Sequence, residues 1–267
     1  MSPPLIAHRD QHRACSRSQQ HGWPSPATPA QERAAPSRQR SSRCSPRTTA
    51  TDTTPGAARR PHLPRGDAAQ VPTRISGVFA PLTQRGARLL PVLGNHDYMS
   101  DEEEQILDQL GRSTSWYTET IGIVRVVVLD TEQVDDPDQL AWLEDTLAAP
   151  SEAAWTIVAM HKPAYSAGYH GSDESIQQAW VPLFEHYAVP LVLAGHDHDY
   201  QRSKKINGVT YVVSGGAGTL RPTGRQDFTQ VSASVRHFLD LVASPTTLTG
   251  RAIDQNGGLL DEFTLHR

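Results

Sequence analysis

The order of apolar runs predicts an α/β layered fold with sheets at its centre. Three observations carry this. Apolar, β-branched runs recur at residues 89–93, 121–130, 155–160, 191–194 and 209–214. Helical patterns fall between several of them, and three further strand-like runs close the chain at 238–243, 247–253 and 259–265. Taken in order, 78–82 reads as a short helix or turn before the strand at 89–93. Residues 101–110 carry acids in the first turn and Ile106, Leu107 and Leu110 on one side, which suits a helix. The run at 121–130 has one polar break, Arg125, and reads as a largely buried strand. Pro137, after Asp135 and Asp136, opens a helix with Leu140, Leu143 and Leu147 on one face. A further helix is expected over 174–187. No internal repeat is visible.

Composition divides the chain. Its 267 residues hold 25 basic and 29 acidic side chains, a net of −4. Residues 1–65 contain eleven Arg, no Lys and three acids, a net of +8, so residues 66–267 carry −12. The first segment also holds ten of the 20 prolines and has no hydrophobic period. It cannot bury enough apolar surface to offset an ordering cost of roughly 1–2 kcal/mol per residue. It is therefore expected to be a disordered Arg/Pro/Ser-rich segment, or else not authentic protein but a misplaced start or shifted frame. Its arginines are scattered and lack interleaved aromatics, so no nucleic-acid partner is expected. Residues 66–267 are expected to form one domain. No run approaches 18 apolar residues, which excludes a helical membrane span, and residues 1–13 do not read as a signal peptide. Cys15 and Cys44 can form neither a disulfide scaffold nor a four-thiolate zinc site.

Polar clusters follow three of the predicted strands. Leu93 precedes Gly94-Asn95-His96-Asp97, Met160 precedes His161, and Ala194 precedes Gly195-His196-Asp197-His198. In α/β sheets ligands bind beyond the carboxyl ends of strands, so four histidines and an Asn converge on one edge. His196 and His198 are two apart, and in extended backbone both rings face one side. That spacing suits two ligands on one ion, or one on each of two ions.

These motifs resemble the calcineurin-like metallophosphoesterases, with the purple acid phosphatase-like branch as the best match. The runs Asp138-Gln139-Leu140-Ala141-Trp142-Leu143 and Ala159-Met160-His161-Lys162-Pro163-Ala164-Tyr165 add to the resemblance, as does Asp197-His198-Asp199-Tyr200-Gln201-Arg202. It covers 66 to the C-terminus. It implies a four-layer αββα sandwich and a phosphoric ester hydrolase, a phosphatase or phosphodiesterase using a metal-activated water. The cofactors would be two divalent or trivalent ions of Fe, Mn or Zn. Carried across by position, Asn95, His161 and His196 would bind one ion and His198 the other. Asp67, in Gly66-Asp67, would bridge them. His96 would stand beside the phosphate with Asp97 as its orienting partner. His170, in a Gly-flanked loop, is either a substrate-facing group or an exposed histidine without a role. Tyr200 and Arg202 would support the metal loop. Related enzymes are often exported.

The chain departs from the family pattern at its start. The family's first motif, Asp-x-His or Asp-x-Gly after a strand, has only Asp10-Gln11-His12 as a counterpart, which is judged coincidental. The sandwich is thus expected to lack a regular first strand, and with it one metal ligand. Gln70 stands where the purple branch has Tyr, so no tyrosinate-iron site is expected. Two readings follow: an active phosphoesterase, or a truncated or degenerate member with weak metal binding and little catalysis.

Overall fold

The computed structural model describes residues 66–267 and the backbone of Leu5–Ala7. The other residues of the basic segment, with Asp10, His12, Cys15 and Cys44, lie outside the described residues.

Period-two alternation decides which side chains reach which layer. The main sheet has seven strands in the order β3-β4-β5-β6-β8-β7-β9. These are β3 (Tyr117–Ile121), β4 (Val124–Val128), β5 (Trp155–Ala159), β6 (Leu191–Ala194), β7 (Tyr200–Ser203), β8 (Thr210–Ser214) and β9 (Thr229–Ala233). β4, β5, β6 and β8 run parallel, and β3, β7 and β9 join antiparallel. The parallel strands are buried on both faces, which is why they read as continuous apolar runs. Val127, Val158, Val192 and Tyr211 face one core, packed with Leu143, Ile176, Trp180 and Phe184. Leu143, Ile176 and Phe184 come from α3 (Pro137–Ala148), α4 (Glu174–Ala179) and α5 (Val181–His186), and Trp180 sits at the junction of the last two. Their neighbours Val126, Val128, Ile157, Leu191 and Val212 face the opposite core.

That second core is closed by a three-stranded antiparallel sheet, β10 (His237–Ala243), β11 (Thr247–Asp254) and β12 (Leu259–His266), through Leu248, Ala252, Phe263 and Leu265. Leu90 of β2 (Arg88–Leu90) joins the same core. A third cluster links Leu93 to Ala68, Val71 and Ile75, which precede α1 (Gly77–Thr83), and to Ile106 and Leu107 of α2 (Glu103–Gln109), with Leu89 packed against it. The helices α3–α5, the main sheet and the three-stranded sheet stack in turn, and α1 and α2 pack beside β2, an arrangement of the expected αββα class. Among the described residues no helix is long and apolar enough to cross a membrane.

The structure refines several sequence expectations. The strand expected over 89–93 is only Arg88–Leu90, because Pro91 has no N–H for a ladder. The helix expected over 174–187 is two, meeting at Trp180, where Pro182 removes a hydrogen-bond donor from the early α5 turn. Strands β3, β7 and β9 were not foreseen, although Tyr-Thr-Glu-Thr-Ile in β3 alternates as a strand should. Leu5–Ala7 forms β1, which pairs antiparallel with β2, so three residues of the segment expected to be disordered are extended. Tyr200 and Arg202 do not turn toward the metal loop. The Tyr200 hydroxyl donates to Asp261 at 2.7 Å, and Arg202 donates to both oxygens of Asp261 at 2.6 and 3.0 Å. The pair binds the C-terminal sheet to β7 instead.

Gln139 explains the Asp-Gln-Leu-Ala-Trp-Leu run. Asp136 caps α3 by accepting from the N–H groups of Asp138 and Gln139, with Pro137 as the first helical residue. The Gln139 amide is fully buried. It accepts from Asp130 N–H at 2.8 Å and donates to the carbonyls of Asp130 and Gln133 at 3.1 and 2.8 Å. Replacing it with Leu strands three backbone groups, each worth about 1–3 kcal/mol when buried and unpaired. Gln139→Leu is expected to lower unfolding free energy by at least about 2 kcal/mol, read as a lower urea midpoint at unchanged slope.

Candidate metal centre

Parallel strands β5 and β6 end side by side, and the chain leaves them at His161 and His196. The loops are joined by Gly195 N–H donating to the His161 carbonyl at 2.9 Å. His196 adopts a left-handed backbone, φ 66°, uncommon for a residue with a side chain and typical of functional sites. The loop after Leu93 brings Asn95 to the same edge. Gly94 is required there, because a Cβ on it would lie 2.6 Å from the His161 ring.

Three donor atoms converge. His161 Nε2 lies 2.9 Å from Asn95 Oδ1 and 3.0 Å from His196 Nδ1. His161 is buried, and burial followed by the nearby His196 charge holds its pKa well below the usual histidine value. Burial, then His170, holds His196 down to about 4. Both imidazoles are therefore neutral at physiological pH, the state a metal ligand needs.

His170 stacks on this group, its ring centroid 4.2 Å from that of His196 at 38°. Its proton affinity is lowered by burial and raised by Asp197. With His196, Lys162, Ser172 and Asp173 it lines a cleft beside the donor atoms. Lys162 pairs with Glu132 at 3.0 Å on that rim.

The Asp between the two histidines is the anchor that sequence reasoning passed over. Asp197 is fully buried, accepts from His170 N–H at 2.7 Å and from the Ser166 hydroxyl, and so fixes the 166–170 loop. Gln201 completes the arrangement, donating to Ser166 Oγ at 2.8 Å and accepting from Ala167 N–H at 2.7 Å. The signal was available: if His196 and His198 face one side, Asp197 faces the other.

The remaining expected residues are placed less centrally. His198 Nδ1 donates to the Thr219 carbonyl at 2.7 Å, which leaves Nε2 as the nitrogen with a lone pair. Asp97 is buried, and burial pushes its carboxyl up, with the His96 charge among the effects acting against that. Its Oδ2 accepts from Gly94 N–H at 2.9 Å, closing the loop that carries Asn95 and His96. Gly66 N–H donates to the His96 carbonyl at 2.6 Å, so the Gly66-Asp67 pair sits beside this loop. The Asp67 carboxylate caps the turn Ala68–Gln70, accepting from Ala69 N–H at 2.9 Å. Among the described residues, no three His, Cys, Asp or Glu side chains are grouped to hold an ion. The Asn95, His161 and His196 donors suit one ion of the first transition row, or zinc. A carboxylate-bridged second position is not assembled around Asp67.

The calcineurin-like phosphoesterase family model matches residues 64–200, just over half of the chain. An uncharacterized protein of Mycobacterium tuberculosis is 32% identical over 162 residues, 45% of this chain and 31% of its own length. Human tartrate-resistant acid phosphatase type 5 is 39% identical over 87 residues, 33% of this chain and 26% of its own. The chain thus spans about a quarter to a third of these curated relatives. Among solved structures, the purple acid phosphatase PPD1 of yellow lupin superposes with a TM-score of 0.52 at 24% identity, over 58% of this chain and 33% of that one. GAP50, the anchor in the inner membrane complex of Plasmodium, gives 0.58 at 19% identity, over 66% and 64%. These two likenesses speak to the fold alone. The matched segment contains the Gly-Asn-His-Asp, His161 and Gly-His-Asp-His clusters whose donor atoms meet at the sheet edge, and the chain belongs to the calcineurin-like phosphoesterase family.

Proposed function

We propose that this chain hydrolyses phosphoesters with a metal-activated water at a two-metal site. The convergence of Asn95 Oδ1, His161 Nε2 and His196 Nδ1, with His161 Nε2 within 3.0 Å of each of the other two, carries the reading. These three would hold one ion, and His198 Nε2 with Asp67 would serve the other. Nitrogen and oxygen donors are compatible with Fe, Mn or Zn. Bound there, divalent ions supply charge neutralisation for the phosphoryl oxygens and a water acidic enough to ionise near neutral pH.

The protein's own groups do the rest. His96 and His170 present ring nitrogens to the phosphoryl group, and either can hand a proton to the ester oxygen as the P–O bond breaks. Asp97 braces the loop of His96 through Gly94 N–H. Asp197 positions His170 through its backbone N–H and through Ser166. Lys162 adds a positive charge at the cleft rim, partly balanced by Glu132.

One observation favours a second reading. Asp67 caps a helical turn and stands in no trio of ionisable donors among the described residues. A degenerate member holding one ion, with little catalysis, would have this arrangement.

Hydrolysis of p-nitrophenyl phosphate and bis-p-nitrophenyl phosphate with Mn²⁺, Fe²⁺ or Zn²⁺, alongside metal counting, separates the two. Two tightly held ions and turnover that falls at least about a hundredfold in His96→Ala and in His196→Ala are expected of the enzyme. Turnover unchanged in both variants overturns it, and a single ion with negligible turnover selects the degenerate reading. Asp197→Ala is expected to cost about 2 kcal/mol of stability, because it strands the buried Ser166 hydroxyl and removes the acceptor of the part-buried His170 N–H. It should also displace the His170 ring, visible as a changed imidazole resonance, while thermal denaturation reports the stability.

A further inference from the structure

The site described so far ends at His170, but a line of stacked groups continues outward from it. His170 meets the Tyr169 ring edge-on at 5.0 Å, and the Arg221 guanidinium lies over the same Tyr169 ring at 4.5 Å. Tyr169 is 64% exposed, among the most exposed large apolar side chains of the described residues. Arg221 comes from the loop after β8. It is held there by its backbone: its N–H donates to the His198 carbonyl at 3.3 Å, and its carbonyl accepts from Ser234 Oγ at 2.6 Å.

The side chain of Arg221 has no structural use that accounts for it. Among the described residues it pairs with no carboxylate, and its Nε is buried without a hydrogen-bond partner. Asp197, the buried carboxylate beside His170, is already engaged at both oxygens. A stacked guanidinium on an exposed ring contributes only about 0.5–1 kcal/mol, while a buried unpaired N–H costs about 1–3 kcal/mol. The terminal Nη nitrogens make no hydrogen bond or ion pair among the described residues and are not enclosed as Nε is, so they are the donors an anion can reach. The guanidinium is planar and presents its donors in a fork that matches phosphate oxygens. Neither Arg221 nor Tyr169 lines the cleft that His170 and His196 share, so an anion on Arg221 would be a second group of the substrate and not the reacting phosphoryl group.

We infer that Arg221, stacked on Tyr169, is the leaving-group subsite, and that it selects phosphoesters whose leaving group carries a second phosphate. The inference rests on the phosphoesterase reading of the donor atoms and adds a substrate class to it. Arg221 is a specificity residue here. The phosphoryl group that reacts is bound elsewhere, so the side chain can be changed without touching the metal donors.

Binding, not turnover, tests this. Propane-1,3-diphosphonate and propylphosphonate, which the enzyme cannot hydrolyse, are titrated into the full chain loaded with Mn²⁺ and into the metal-free chain. Calorimetry reads affinity, and the arginine Nε–H resonances read the contact, with Arg221→Gln assigning the Arg221 signal. The loaded wild-type chain is expected to bind the diphosphonate at least tenfold more tightly than the monophosphonate. Arg221→Gln should bring the two within twofold while leaving the monophosphonate unchanged. Arg221→Lys should fall between, and Tyr169→Phe, which keeps the ring, should retain the preference. A preference that survives Arg221→Gln, or no preference in the wild type, overturns the inference. Loss of monophosphonate binding with a persistent Arg221 Nε–H shift by the diphosphonate supports the subsite and counts against the phosphoesterase reading. A diphosphonate that leaves the Arg221 resonance unmoved in both forms sinks the subsite whatever the metal content.

Discussion

One buried carboxylate holds the centre together. Asp197 sits between two metal-donor candidates in sequence, yet its side chain points away from them and binds the loop that carries His170. The contact leaves no room for alternatives. A Cβ on Gly168 would lie 2.6 Å from the Asp197 carboxyl carbon, and one on Gly215 would lie 2.0 Å from its backbone carbonyl. Three chain segments are therefore packed around one acid, and the geometry of His170 over His196 follows from that packing. A carboxylate in such a place is tolerable only because charged or polar donors meet both oxygens.

The main sheet was legible because its central strands are buried on both faces, and burial on both faces demands an unbroken β-branched run. Gly122, with φ 57°, ends β3 and turns the chain into β4, so the predicted 121–130 strand begins at that turn and not before it. The strands β7 and β9 were not legible. β7 is made of polar-tipped residues, with Tyr200, Gln201 and Ser203 buried and Arg202 half-buried, and Tyr200 and Gln201 find side-chain partners 61 and 35 residues away. No local pattern encodes a polar strand stabilised by distant groups. The same distance effect misassigned Tyr200 and Arg202, because Asp261 lies on the final strand.

Within the site, the glycine before each histidine cluster was the informative signal. At Gly94 the reason is steric and specific, since His161 occupies the space a side chain would need. The converging trio of Asn95, His161 and His196 was likewise implied by three strand ends and by the resemblance. The roles of Asp197 and Arg221 were harder to see. Asp197 could have been inferred from side-chain parity around the two histidines. Arg221 could not, because it lies in an irregular loop whose register to Tyr169 is set only by the folded chain.

That loop gives the two halves of the site unequal support. Thr219 fixes the tautomer of His198, and Gly218 lets the ring approach, since a Cβ there would stand 2.9 Å from it. Two residues beyond Thr219 the same loop delivers Arg221 to Tyr169. The histidine side is thus held by β5, β6 and the loop after β8, all rooted in the parallel core. The Asp67 side has no such root. It is joined to the site by Gly66 N–H on the His96 carbonyl and by Glu102 accepting from Ala68 N–H at 2.9 Å. A carboxylate that must bridge ions depends on backbone held to within a few tenths of an ångström, and a short helical turn hydrogen-bonded to a loop supplies less rigidity than a sheet. On the proposed reading, the choice between one ion and two would rest on how firmly residues 66–70 are seated, since the three converging side chains Asn95, His161 and His196 are held without them.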